Sequence, residues 1–174
     1  MFESIFGQRL DQKTKDLATY IYALLTEHNR KCDLFFLTKT LYLCDVASYR
    51  YTGKQISNLD WKWWDYGPFS EKIYDYRKEL VYREIVGPCN LESKTKHTSI
   101  NYVHIKNLSD LEAAITKKVV YQVKELDFNE LKKLAYNTPP MAAAQRSGQK
   151  AGGRVSLDFS TITRKEIEST PQIP

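Results

Sequence analysis

The stretch from 34 to 51, LFFLTKTLYLCDVASYRY, constrains the fold more than any other part of the chain. Its apolar residues, among them Phe35, Leu37, Leu41, Cys44 and Val46, fall on more than one face of a helical wheel. A helix that is apolar on several sides must be enclosed by other elements. The helix starts after Asp33 and runs to about Tyr51, and Gly53 lies just past its end, where a left-handed residue closes a helix. The segment predicts a buried spine. Two polar residues of this spine, Lys39 and Asp45, lie about 120° apart on the helix, so they cannot pair along it. Asp45 is expected to be buried and to accept hydrogen bonds, with backbone N–H groups near Tyr66-Gly67-Pro68 as donors.

Other elements gather around this spine. Residues 11–28 read as an amphipathic helix capped by Asp11, with Leu17, Ala18, Ile21, Leu24 and Leu25 on its inner face and Asn29 at its end. From Leu59 the period changes: Leu59, Trp61 and Trp63 alternate with Asp60 and Lys62, as in a strand with one buried face. Tyr66-Gly67-Pro68 is expected to break that strand. Ser70 is expected to cap a third helix whose inner face is Phe69, Ile73, Tyr76 and Leu80. Tyr82–Val86 and Ile100–Lys106 read as two strands of a hairpin with a polar tip between them.

Capping-box patterns at Ser109/Glu112 and Asp127/Glu130 open two further helices, the second stopped by Asn137-Thr138-Pro139-Pro140. Beyond Gln145 the run RSGQKAGGR reads as a flexible joint, followed by a short strand over Val155–Phe159. The expected fold is mainly α with a small β element (α+β). It is a compact helical domain with a short antiparallel hairpin in winged-helix-like order. The expected domain covers 1–145, with a C-terminal extension over 146–174 behind the Gly-rich joint.

A chain of 174 residues with 42% apolar and 27% charged residues is long enough for a real core and is not disordered as a whole. No apolar run approaches the roughly 18 residues of a membrane span, and the start carries no signal-like pattern, so a cytoplasmic protein without membrane contact is expected. Cys32, Cys44 and Cys89 are widely spaced and read as reduced thiols, and His28, His97 and His104 have no metal-ligand spacing. Phosphate-cradling glycine loops, nucleophile elbows and HExxH are absent. Asp60 and Asp65 have no fixed mutual geometry, and His104 reads as structural. The expectation is a protein that is not an enzyme, with no cofactor and no metal.

The net charge of +5 sits in the second half, where residues 90–174 carry 13 Lys/Arg against 9 Asp/Glu, around Lys117, Lys118, Lys132 and Lys133. Such an excess suits nucleic acid, an acidic protein face or a plain solvated surface. A winged-helix reading would place Lys72, Arg77 and Lys78 on DNA with Lys94 and Lys96 on the wing. Glu71, Asp75 and Glu79 interleave with those cations and leave the third helix little net field, so DNA is the alternative partner rather than the leading one. The aromatic content is 13%, and all three tryptophans, Trp61, Trp63 and Trp64, fall within four residues. Trp and Tyr suit protein interfaces as well as cores.

Lys39-Thr40-Leu41-Tyr42-Leu43-Cys44-Asp45 resembles the K-x-L-Y-x-x-D helix of the Panacea domain, the SocA-like antitoxin family. Gly53 and Ile56 follow as in its G-x-x-I stretch. Tyr66-Gly67-Pro68, Ser70 and Tyr74 are similar to its Y-G-P-x-S-x-x-x-Y signature, and Leu131–Pro140 to its closing helix and Pro-Pro segment. The resemblance covers about residues 11–140, with Met141 standing where the family often has Trp. It implies a mainly helical fold and an antitoxin that neutralises a cognate toxin by direct binding. Some relatives deliver the toxin to a protease, and phage-encoded members suggest a part in phage–host conflict. Family members pair with many unrelated toxins, so the resemblance does not name the partner. On this reading Trp61, Trp64, Tyr66, Gly67, Pro68, Tyr74 and Arg77 form the partner-binding set. Lys39, Tyr42, Asp45, Ser70, Pro139 and Pro140 form the structural motif.

Overall fold

The computed structural model describes residues 10–82, 105–148 and 153–165, with 77–82 described as backbone only. Helix α1 (Gln12–Glu27) begins where the Asp11 carboxylate accepts the Thr14 N–H at 2.8 Å. Helix α2 (Leu34–Thr52) begins in the same way, with Asp33 accepting from Phe36 N at 2.8 Å. Gly53 ends it at φ 71°, a conformation that costs glycine no side-chain clash. As its all-round apolar pattern requires, α2 is buried from Phe36 to Val46. It packs against α1, against two later helices and against a small sheet.

That sheet has three strands, β1 (Lys62–Trp64), β2 (Gly67–Phe69) and β3 (Val155–Ser156), antiparallel in the order β2-β1-β3. Helix α3 (Glu71–Tyr82) follows β2 directly. Helices α4 (Asp110–Val123) and α5 (Phe128–Tyr136) each begin with a complete capping box, Ser109/Glu112 and Asp127/Glu130. A short helix α6 (Pro139–Arg146) and a 3-10 turn (Phe159–Thr161) complete the described elements. The molecule is mainly α with a small β element.

The structure corrects several local expectations. Tyr66-Gly67-Pro68 does not end the strand region: the chain reverses at Asp65-Tyr66, and Gly67 and Pro68 lie in β2, paired with Trp64 and Trp63. Gly67 makes the reversal possible by taking φ 99°, and Pro68 sits in an edge strand, where a missing N–H costs least. The described hairpin therefore precedes α3 instead of following it. Tyr82 is the last residue of α3, not the first of a strand, and 83–104 lie outside the described residues. Ile105 and Lys106 are not in a strand.

Pro139 and Pro140 open α6 instead of merely stopping α5, because the first helical positions need no N–H donor. Ser70 is fully buried, but its hydroxyl makes no capping bond and has no hydrogen-bond partner among the described residues. The strand expected over Val155–Phe159 is two residues long and gives way to the 3-10 turn, in which the Asp158 carboxylate accepts from Ser160 N.

The segment after the Gly-rich run packs on the rest of the molecule. Leu157 N donates to Trp61 O at 2.9 Å, and Leu157, Phe159 and Ile162 are all buried in the main core.

Candidate functional site

Three polar residues of α2, spaced by three, each hold a different outer segment. Asp45 is fully buried. Its carboxylate accepts from Ile56 N and Ser57 N at 2.9 Å each, from Trp61 Nε1 at 2.8 Å, from Gln55 Nε2 at 3.2 Å and from the Ser57 hydroxyl. Burial pushes its carboxyl pKa up, against the pull of these donors. The expectation of a buried Asp45 that accepts hydrogen bonds holds, but the donors come from the 55–57 loop and Trp61, not from Tyr66-Gly67-Pro68. The loop after Gly53 turns straight back over the last turns of α2, which brings it to Asp45 before the hairpin begins.

The contact between spine and hairpin falls instead to Lys39. Its ammonium donates to Pro68 O at 2.6 Å and lies 4.9 Å from the centre of the Phe35 ring. Only 4% of Lys39 is exposed, and burial, reinforced by the nearby charge of Lys132, pushes its pKa down to about 7. Tyr42, between the two, shares a 2.6 Å hydroxyl hydrogen bond with Thr138, the residue before Pro139-Pro140. Its ring also meets Trp61 edge-on, with centroids 5.3 Å apart. The motif thus fixes the 55–57 loop, β2 and the start of α6 to one helix.

The hairpin held in this way is two-faced. Trp63 and Trp61 point inward; Trp63 Nε1 donates to the Tyr136 hydroxyl at 3.3 Å. On the other face Trp64 leads to Phe69 at 4.6 Å between ring centres, and Phe69 to Tyr74 of α3 at 6.0 Å. At the turn, Tyr66 is 63% exposed, and Tyr74 is 43% exposed. Cations border the row: Arg154 lies 5.2 Å over Trp64 and pairs with Glu71 at 2.9 Å, and Lys132 of α5 lies 5.6 Å from both the Tyr66 and Tyr136 rings. Exposed aromatics with guanidinium and ammonium groups on a rigid support have the composition of a protein-contact surface. Among the described residues no group of three His, Cys, Asp or Glu is placed to hold a metal ion.

Of the partner-binding set, Trp64, Tyr66 and Tyr74 reach this surface. Trp61, at 4% exposure, does not, because its indole N–H is committed to Asp45. Gly67 and Pro68 are buried and shape the turn from beneath, and the Arg77 side chain lies outside the described residues. Phe69, Lys132 and Arg154 also border this surface: the sequence places Phe69 on the inner face of the third helix, whereas it lies in β2; Lys132 stands out only within the basic excess of the second half; and Arg154 arrives from far along the chain with no local pattern to mark it. Gln55 and Ser57, whose side chains donate to Asp45, were not singled out in the sequence; two polar residues flanking Ile56 so soon after Gly53 are the signal that could find them.

The family model for the antitoxin SocA-like Panacea domain matches residues 37–140. No curated protein and no solved structure matches the chain. The matched span holds α2 from Leu37 on, the hairpin, α3, α4, α5 and Pro139-Pro140, while β3 and Arg154 lie beyond it.

Proposed function

The chain belongs to the SocA-like Panacea family of antitoxins, and we propose that it neutralises a cognate toxin by binding it directly, acting as a protein-binding module and not as an enzyme. One observation carries the placement of the binding face. The row Trp64–Phe69–Tyr74, with Tyr66 at its turn, presents aromatic surface on a hairpin anchored to the buried spine. Rigid aromatic groups supply contact area at low entropic cost, the usual make-up of interface hot spots. The same family resemblance extends the proposal to delivery of the bound toxin to a protease and to a part in phage–host conflict. No described helix is long and apolar enough to cross a membrane, and a cytoplasmic site of action completes the reading. Direct DNA binding draws less support, because Lys72 is engaged with Asp60 at 3.1 Å and with Asn58 O at 2.7 Å.

Coexpression with the product of the adjacent gene tests the reading. The expected outcome is a toxic neighbour made harmless by this chain, with the two co-purifying. The double variant Trp64→Ala/Tyr66→Ala should stay folded, because Tyr66 is exposed and Trp64 is half-buried on the hairpin's outer face, away from the core, yet lose co-purification and protection. A neighbour that is harmless alone and does not co-purify ends the proposal.

A further inference from the structure

We propose that the partner engages this face through an acidic side chain, its carboxylate seated on the Lys132 ammonium beside the Tyr66 and Tyr136 rings, above the buried amine of Lys39. This deepens the binding reading above and rests on it for the partner being a protein. The premise is a pair of neighbouring cations that lack a counter-ion. Around the hairpin, Lys62 pairs with Glu71 at 3.5 Å, Arg154 with the same carboxylate at 2.9 Å and Lys72 with Asp60 at 3.1 Å. Lys132 and Lys39 alone of this group have no carboxylate partner among the described residues. The nearest acid along the hairpin, Asp65, is exposed on the turn and makes no ion pair among the described residues.

Lys132 is half-buried, and its described contacts are the faces of Tyr66 and Tyr136. An ammonium held against aromatic faces is partly desolvated and attracts an anion more strongly than one in open water. Beneath it, Lys39 already donates to Pro68 O and is disfavoured as a cation by Lys132 itself. A carboxylate placed on Lys132 offsets both problems: it gives Lys132 a partner and removes the repulsion felt by Lys39. Tyr66, the most exposed large side chain of the face, offers apolar contact to the residue bearing that carboxylate. A nucleic-acid backbone fits less well, because it needs a run of free cations, whereas Lys62 and Arg154 both engage the Glu71 carboxylate and Lys72 engages Asp60.

The test uses the full chain with three probes: the capped peptide acetyl-Leu-Glu-Glu-Leu-amide, its Gln-Gln counterpart and a ten-nucleotide thymidine oligomer. Lysine side-chain NMR follows each titration. The glutamate peptide is expected to bind at least tenfold more tightly than the glutamine peptide, to shift the Lys132 signals and to raise the titration midpoint of Lys39. Lys132→Met should abolish the preference, Lys132→Arg should restore most of it, and Lys133→Met, one position along on the exposed side of α5, should leave it intact. Equal affinity for the two peptides, an undiminished preference in Lys132→Met or tighter binding of the oligomer would each overturn the inference. In the coexpression assay, a toxin complex that survives Lys132→Glu removes this inference and leaves the antitoxin reading standing. If no neutralised partner exists, that reading falls and the peptide titration still decides the fate of the lysine site.

Discussion

Asp45 is the side chain on which most buried polar groups converge, and its removal has the clearest consequence. In Asp45→Ala the N–H groups of Ile56, Ser57 and Trp61 lose their acceptor inside the core. Each orphaned buried donor costs about 1–3 kcal/mol, so the variant should lose about 3 kcal/mol or more of stability in urea unfolding. A loss below about 1 kcal/mol would contradict the role given to this carboxylate. Lys39 makes a different prediction, in pH. Its pKa is about 7 in the folded chain against an ordinary 10.5. Between those values the unfolded chain holds a proton that the folded chain has released, so stability rises with pH across that window. Below about pH 7 the penalty of the buried charge is complete; above the unfolded value it is gone. Unfolding curves from pH 7 to pH 10 should therefore show a steeper gain for the wild type than for Lys39→Met. Parallel curves would refute it.

At the scale of elements, the hairpin shows how misleading a local breaker signal is. Gly67 and Pro68 in succession read as a break because neither favours a strand interior. Yet the strand is at an edge, and the glycine supplies the positive φ that the turn requires while the residues before it stay in ordinary conformations. A Cβ at Gly67 would also stand 2.8 Å from Tyr136 Cε2. Gly67→Ala is thus strained by its backbone and by a ring, and should cost on the order of 2 kcal/mol in chemical denaturation. It should also displace the Tyr66 and Lys132 signals in NMR, since the turn sits against α5. The starts of α4 and α5, by contrast, were readable as written. Each capping box joins residues three apart, and nothing distant enters into whether it forms.

For the whole molecule, the segment after 153 is what most changes the picture. It adds β3 to the sheet, places Leu157, Phe159 and Ile162 in the core and brings Arg154 over Trp64. Phe159 meets both Tyr42 and Tyr49 edge-on, at 6.0 Å and 5.7 Å. Burying three such side chains contributes about 1.5–3 kcal/mol each. A chain ended at 148 should therefore lose on the order of 5 kcal/mol, seen as a large fall in its unfolding midpoint. An unchanged midpoint would mean that the segment rests on a domain complete without it.

The spine helix, its Gly53 stop, the amphipathic α1 and the two capping boxes were determined by the sequence alone, because periodicity and local hydrogen bonds act within a few residues. The alternation that turns Trp61 and Trp63 inward and Trp64 outward was legible for the same reason. So was the burial of Asp45, which follows from a polar residue on a helix apolar all round. What donates to Asp45, and that Lys39 rather than Asp45 holds the hairpin, was decided only when the 55–57 loop and β2 took their places in space. The face itself is composite in the same sense. Trp64, Tyr66 and Tyr74 come from one stretch of chain, whereas Lys132 and Arg154 arrive from α5 and from beyond the Gly-rich run. Contacts between residues so far apart in the chain are set by packing around the spine, and no local pattern records them.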